Sequence, residues 1–261
     1  MNTSKNNTRS VHFFNEAGEK IAGTLHMPDE STNCGVVLGH CFTCSRHISI
    51  IREISTVLAE TGMAALRFDF SGNGQSEGDF SHTSYSKHIG EMEHAVRFFA
   101  EQGYTRFGLA GHSMGAAVAV LAGARLKDVS GVCALGGRMA GKESAPFFGK
   151  EKMEELRRTG RLHFESRGRG LELKENFFTD LQKYDLRETV RNFNPPLLVV
   201  HGDQDEIIPV ENAREVESLN PDVDVEIVSG ANHMFSDPDH RRHIAETVAE
   251  WFRNRFEAVP E

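Results

Sequence analysis

Short apolar runs alternate through most of the chain with segments whose apolar residues recur at helical spacing. The runs at 11–15, 21–26, 36–40, 64–69, 107–111, 131–135, 197–201 and 223–228 predict strands. Residues 47–61 carry Ile48, Ile51, Ile54 and Leu58, and residues 85–102 carry Ile89, Met92, Val96 and Phe99. Both predict helices with one buried face, as do 114–127, 210–219 and 238–256. Strands alternating with helices imply βαβ units, hence an α/β fold with a mostly parallel central sheet flanked by helices. The first two strands have no helix between them and read as an antiparallel hairpin at one edge.

One interval departs from this rhythm. Between 138 and 194 no run has the character of a central strand. The pattern predicts a charged helix over 149–158, a hairpin from 161–165 and 171–174 about a Ser-Arg-Gly turn, and a short helix over 176–184. The simplest reading is one domain, 1–261, with an insertion over about 138–194 that caps one end of the sheet.

The chain carries 29 Lys and Arg against 38 Asp and Glu, a formal net charge of −9, and shows no basic patch, which argues against nucleic acid as a partner. Hydrophobic residues at 39% with 24 glycines suit a globular domain and exclude disorder, collagen or coiled coil for the whole chain. The polar opening MNTSKNNTRS lacks the apolar core of a secretory leader. The most apolar stretch, 108–124, is interrupted by His112 and Ser113 and falls short of a membrane span. A cytoplasmic protein with its four cysteines reduced and no membrane partner is the resulting expectation.

The candidate chemistry begins at Gly111-His112-Ser113-Met114-Gly115, between an apolar strand and an Ala-rich helix. A serine on so sharp a turn needs small neighbours two positions to either side, and Gly111 and Gly115 supply them. The turn would expose Ser113 Oγ and leave the Met114 backbone N–H at a helix N-terminus, facing a developing oxyanion. A serine hydroxyl needs a base, itself oriented by a carboxylate. Downstream, His201-Gly-Asp203-Gln-Asp205-Glu-Ile-Ile-Pro209 follows one strand and Gly230-Ala-Asn-His233 follows the next, so the chain order is Ser, Asp, His. Asp203 and Asp205 share one loop, and the residues alone leave the choice between them open.

With these runs and the segment from Arg67 to Ser76, Arg-Phe-Asp-Phe-Ser-Gly-Asn-Gly-Gln-Ser, the chain resembles the α/β-hydrolase superfamily from about Gly35 onward. Within it the chain is most similar to small bacterial carboxylesterases of the cinnamoyl/feruloyl esterase type. His40-Cys-Phe-Thr-Cys-Ser45 also resembles the hydrolase half of fusions to an osmotically inducible, peroxide-handling domain, which this chain does not reach. The resemblance implies Ser113, Asp205 and His233 as catalytic triad, with Asp203 bracing its loop. It also implies a second oxyanion donor after the third strand, by position the Phe42 N–H. Related hydrolases carry His-Gly where this chain has His40-Cys41, so a positive φ there would strain the cysteine.

The other signals are absorbed or set aside. His240 and His243 fall on the charged last helix, and His82, His88 and His94 do not share a helix face, so no metal site is expected. Asp69, Gly72 and Gly74 do not complete a nucleotide-binding glycine pattern and read as a tight turn at the edge of the site. Cys41-Phe-Thr-Cys44 could act as a redox centre or as a redox-sensitive pair modulating the hydrolase. Phe42, His112, Phe147, Phe148, Phe177 and Phe178 are candidates for substrate contact, while Phe164 and Tyr184 join them in packing the cap.

The sequence-based expectation is a cofactor-independent serine esterase acting on a small-molecule ester, aryl (hydroxycinnamate-like) or short acyl. Rate is expected to rise over roughly pH 6 to 8 as an imidazole base loses its proton. Alternatives are a thioesterase, acyl-peptide or monoacylglycerol hydrolase with the same triad, and a non-catalytic ligand-binding protein of the same fold. The sequence leaves the oligomeric state open.

Overall fold

A computed structural model describes residues 7–139 and 148–258. The chain opens with β1 (Thr8–Phe14) and β2 (Lys20–His26), paired antiparallel as expected. Next come β3 (Cys34–Gly39), α1 (Ser49–Glu60), β4 (Ala64–Phe68), α2 (Tyr85–Glu101), β5 (Arg106–His112), α3 (Met114–Gly123) and β6 (Val129–Leu135). The interval before the next central strand holds α4 (Lys150–Thr159), the hairpin β7 (Arg161–Ser166) and β8 (Arg169–Lys174), α5 (Glu175–Leu181) and α6 (Leu186–Arg191). The chain closes with β9 (Leu197–Gly202), α7 (Glu211–Leu219), β10 (Asp224–Val228) and α8 (Pro238–Glu257).

The main sheet runs β1-β2-β4-β3-β5-β6-β9-β10, and every pairing from β4 to β10 is parallel. From β3 the chain first steps outward to β4 and then returns past β3 to β5. The strand order therefore reverses between β3 and β5, and the loops leaving their carboxyl ends diverge there, opening a crevice. That reversal decides where a site can form.

Each face of the sheet has its own apolar cluster. Ile50, Ile51, Ile54 and Leu58 of α1 and Val248, Trp251 and Phe252 of α8 cover one face. Met92 and Phe99 of α2, the whole of α3, and Ala213 and Val216 of α7 cover the other. Helix starts follow their capping chemistry: Ser84 accepts from the Lys87 N–H at α2, and Asp237, followed by Pro238, accepts from Asp239 and His240 at α8. Helix α3 stops at Gly123, short of the predicted 127. Leu126 and Arg125 N–H both turn back to the Ala122 carbonyl, and the exposed Ala124 and Arg125 have no face to bury.

The hairpin β7–β8 forms its own two-stranded sheet. Leu162, Leu173 and Phe177 of this interval are buried, and Asp180 on α5 accepts from Ser86 N–H and Oγ–H of α2 at 2.8 and 2.6 Å. Among the described residues no helix is long and apolar enough to cross a membrane.

Candidate active site

Strand β5 ends in His112 and α3 begins at Met114, so one residue makes the whole turn between them. Ser113 adopts φ 57° and ψ −114°, a region non-glycine residues rarely enter and one that stores on the order of 1–3 kcal/mol of backbone strain. The strain is sustained by close packing. A Cβ on Gly111 would overlap the Gly115 carbonyl, and one on Gly115 would lie 2.5 Å from the Gly39 oxygen at the end of β3. The Ser113 N–H is pinned to the Leu135 carbonyl of β6 at 2.8 Å. Helix geometry leaves the Met114 N–H without an intrahelical acceptor at the positive end of α3.

Ser113 Oγ lies 3.1 Å from His233 Nε2, and His233 Nδ1 lies 2.8 Å from Asp205 Oδ2. A carboxylate can only accept, so Nδ1 carries the proton and Nε2 is left to accept from the serine hydroxyl. The Asp205 side chain is fully buried, and burial alone would raise its pKa. Hydrogen bonds from His201, His233 and the Ile208 N–H outweigh that and hold the carboxyl well below the usual range. Its other oxygen accepts from Ile207 and Ile208 N–H at 2.8 and 2.7 Å, so the charge is fixed in direction as well as stabilised.

Of the two aspartates on this loop, only Asp205 reaches the histidine. Asp203 Oδ1 accepts from the Gly230 N–H at 2.7 Å and ties the β9 loop to the β10 loop. His201, to which the sequence assigned no role, is buried, with Nε2–H shared between the Ile208 carbonyl at 2.8 Å and Asp205 Oδ2 at 3.2 Å. Its place two and four residues before the paired aspartates was the available signal.

His112 corrects an expectation. As a substrate contact it would have to face the cleft, but it is fully buried and its Nε2–H donates to the His233 carbonyl at 2.8 Å. Burial, then the neighbouring His233, lowers its pKa to about 3, so it stays neutral and holds the backbone of His233 from behind.

The loop after β3 abuts this turn, because Gly115 packs against Gly39 and His40 oxygens. His40 is buried, with its pKa lowered chiefly by desolvation. Its Nδ1–H donates to the Cys41 carbonyl at 2.7 Å while Nε2 accepts from Phe70 N–H at 3.0 Å. The Cys41 carbonyl also accepts from Cys44 N–H at 3.1 Å. A trans peptide is planar, so fixing that carbonyl fixes the Phe42 N–H in the opposite direction. Cys41 has no positive φ and is not strained. The expectation of four reduced thiols fails here: Cys41 and Cys44 are joined in a disulfide, their Cα atoms 5.3 Å apart, because the tight 41–44 turn brings the sulfurs together. Cys34 and Cys133 are free thiols.

Below the loop, Asp69 binds Arg46 through its backbone N–H and guanidinium and accepts from Gln75 N–H, with Gly72 and Gly74 at positive φ closing the turn. Phe42 meets Phe80, Phe164 and Phe177, at ring-centroid distances of 5.4, 6.3 and 5.2 Å. Phe177 is buried and packs the α5 segment down, whereas Phe148 and Phe178 are half-buried and stand nearer solvent. Phe147 lies outside the described residues. Among the described residues no group of three or more His, Cys, Asp or Glu is placed to hold a metal ion.

A strained serine at a strand-to-helix turn, beside the reversal point of a mostly parallel sheet, with a histidine and aspartate from the last two strand ends, defines a serine hydrolase of the α/β-hydrolase fold. The chain belongs to the family described as serine aminopeptidase, S33, whose model matches residues 36–175. The model of the prolyl oligopeptidase family matches residues 144–258. No curated protein matches the sequence significantly.

Several solved structures share the fold. Est1E from Butyrivibrio proteoclasticus, with ferulic acid bound, aligns with a TM-score of 0.81 at 24% identity over 95% of this chain and 99% of that one. The esterase domain of a Rhodothermus marinus protein gives 0.73 at 25% identity over 95% and 98%. Mouse alpha/beta hydrolase domain-containing protein 10 gives 0.76 at 17% identity over 94% and 99%.

Proposed function

We propose that this chain is a carboxylic ester hydrolase working through an acyl-enzyme on Ser113. The observation that carries the reading is the continuous relay from Ser113 Oγ through His233 to the buried Asp205, at 3.1 and 2.8 Å. His233 Nε2 takes the hydroxyl proton as Oγ attacks the ester carbonyl, and Asp205 stabilises the imidazolium that forms. The N–H groups of Met114 and Phe42 hold the oxyanion. The proton then passes to the departing alkoxide, the alcohol leaves, and a water deprotonated by His233 releases the acid.

Phe42, which lies within the disulfide loop, stacks on Phe164 and meets Phe177, and this aromatic cluster suits an aryl or short acyl group. The likeness to an esterase with ferulic acid bound supports the aryl choice. The family description, serine aminopeptidase, favours a second reading in which the same relay cleaves a peptide bond.

Initial rates on p-nitrophenyl butyrate, methyl ferulate and an aminoacyl p-nitroanilide separate the readings, with Ser113→Ala as control. Ester turnover that vanishes in the variant is expected. Turnover of the anilide alone would transfer the relay to peptides, and failure of a fluorophosphonate to label Ser113 would remove the covalent mechanism.

A further inference from the structure

A cleft of about 640 Å³ has walls from the 43–49 segment, the turn of the β7–β8 hairpin, and the segment that follows His233. On a chain of net charge −9, Arg167, Arg169 and Arg241 make its lining cationic, while burial and then the charges of Arg46 and Arg67 push His47 toward its neutral form. Arg169 spends Nη2 on the Thr43 carbonyl and Asn73 Oδ1, and Arg241 spends Nη1 on the Phe235 and Ser236 carbonyls. Among the described residues the Arg167 guanidinium has one hydrogen-bond partner, the Met234 sulfur, at 3.8 Å. Among the described residues none of these three guanidinium groups forms an ion pair with a carboxylate. Of the acids nearby, Asp69, under Gly74, is paired with Arg46, and Asp237 caps α8 while its carboxylate also feels the charge of Arg241.

The turn itself is unusual. Arg167 and Gly168 have φ of 52° and 71°, the pair of positive values that a two-residue hairpin turn of the primed type requires. Asn or Gly ordinarily fills the first of these positions, and an arginine there carries a backbone cost. That turn sets at the lip of the cleft a guanidinium with no carboxylate partner among the described residues. Met234, which Arg167 contacts and which lines the cleft, follows His233 directly in the chain, so cleft and relay are joined through consecutive residues.

We propose that this cleft is an anion subsite of the active site, and that the preferred ester carries a carboxylate, phosphate or sulfate group bound by Arg167, Arg169 and Arg241. The proposal rests on the serine hydrolase reading for its catalytic consequence, though the binding it requires does not. The anion can sit on either side of the scissile bond, and matched substrates distinguish the two. On the alcohol side, 4-(butanoyloxy)benzoate is compared with 4-(butanoyloxy)benzamide. On the acyl side, the monophenyl ester of adipic acid is compared with its terminal primary amide.

In wild type, kcat/KM is expected to be at least tenfold higher for the anionic member of one pair. Arg167→Gln should reduce that ratio about tenfold, mainly through KM, Arg167→Glu should bring it below one, and Arg167→Lys should retain most of it. The ratio should also fall as ionic strength rises. Calorimetric titration of Ser113→Ala with the same four compounds reads binding without turnover, so a dead hydrolase and a wrong subsite give different results. Ratios at or below one in both pairs, equal binding of acid and amide, or ratios indifferent to Arg167→Gln and Arg167→Glu would overturn the proposal.

Discussion

The carboxyl ends of the sheet strands and the 138–194 interval above them are built on opposite terms. At the sheet end the groups that aim the relay are tied through backbone atoms: Asp205 accepts from two backbone N–H groups, the Cys41 carbonyl accepts from the His40 ring and the Cys44 N–H, and the His233 carbonyl accepts from the His112 ring. The interval is held by aromatic packing and by ion pairs such as Arg161–Glu172 and Lys152–Glu155, whose cations are half exposed. Such exposed pairs are screened by solvent and contribute little to stability. The difference teaches a division of labour: reaction geometry is assigned to parts that cannot move singly, and substrate choice to parts that can be exchanged without disturbing them.

The most severe way to break that division is to remove the nucleophile. Ser113→Ala is expected to lower kcat for p-nitrophenyl butyrate by roughly 10⁴- to 10⁶-fold with an unchanged circular dichroism spectrum. Asp205→Asn should cost about 10⁴-fold by leaving His233 in the wrong tautomer, whereas Asp203→Asn, which only loosens a loop tie, should cost far less. Equal losses in the two variants would reject the assignment of Asp205.

A milder cut opens the Cys41–Cys44 bridge. Treatment with a thiol reductant, or the paired substitution Cys41→Ser and Cys44→Ser, frees the peptide that aims the Phe42 N–H. The rate should fall about tenfold, within the ~100–1,000-fold ceiling for losing an oxyanion donor outright. An unchanged rate in both tests would show that His40 alone fixes the loop.

Acid should act on the sheet end first. His112 and His40 are buried and neutral, with pKa values depressed in the fold, so the unfolded chain binds protons that the folded chain refuses. Their stabilisation is complete above the ordinary histidine pKa near 6.5 and is lost as pH falls toward the folded values. Each can cost up to about 1.4 kcal/mol per pH unit. The carboxylates with lowered pKa, such as Asp205 and Glu91, begin to matter from about pH 5 downward, as the unfolded carboxyls take up protons, so urea midpoints between pH 6.5 and about 5 report the histidines. A flat midpoint over that window would contradict the account, and His112→Gln should reduce the slope.

The smallest effect belongs to the interval. Phe178→Ala removes a half-buried ring packed against Phe148 and Phe177, and should shift the ratio of aryl to short acyl ester turnover severalfold, through KM more than kcat. A fall in kcat matching that of the loop variants would erase the division between the two regions.

The fold was legible because α/β alternation leaves a strong periodic signal, and the elbow was legible because glycines at 111 and 115 have a steric reason. What escaped notice has physical causes too. Helix α6, six residues capped by Asp185, is too short to show a period. Cys-x-x-Cys spacing suits thiols and a bridge equally, and only the 41–44 turn decides between them. His112 looked like a pocket residue because adjacency to Ser113 in sequence says nothing about which way a strand-end side chain faces. The arginine cleft was hidden because its walls come from three distant segments that only the fold brings together.

The backbone of Ser113 has a consequence for laboratory evolution. Glycine at that position adopts φ 57° without the strain that serine or alanine carries. Ser113→Gly should therefore melt above Ser113→Ala, by on the order of 1 kcal/mol after glycine's greater loss of freedom on folding is counted. A library sorted for heat resistance alone would drift toward the Ser113→Gly change and discard turnover as it gained robustness. Selection for this protein must read rate and melting temperature together.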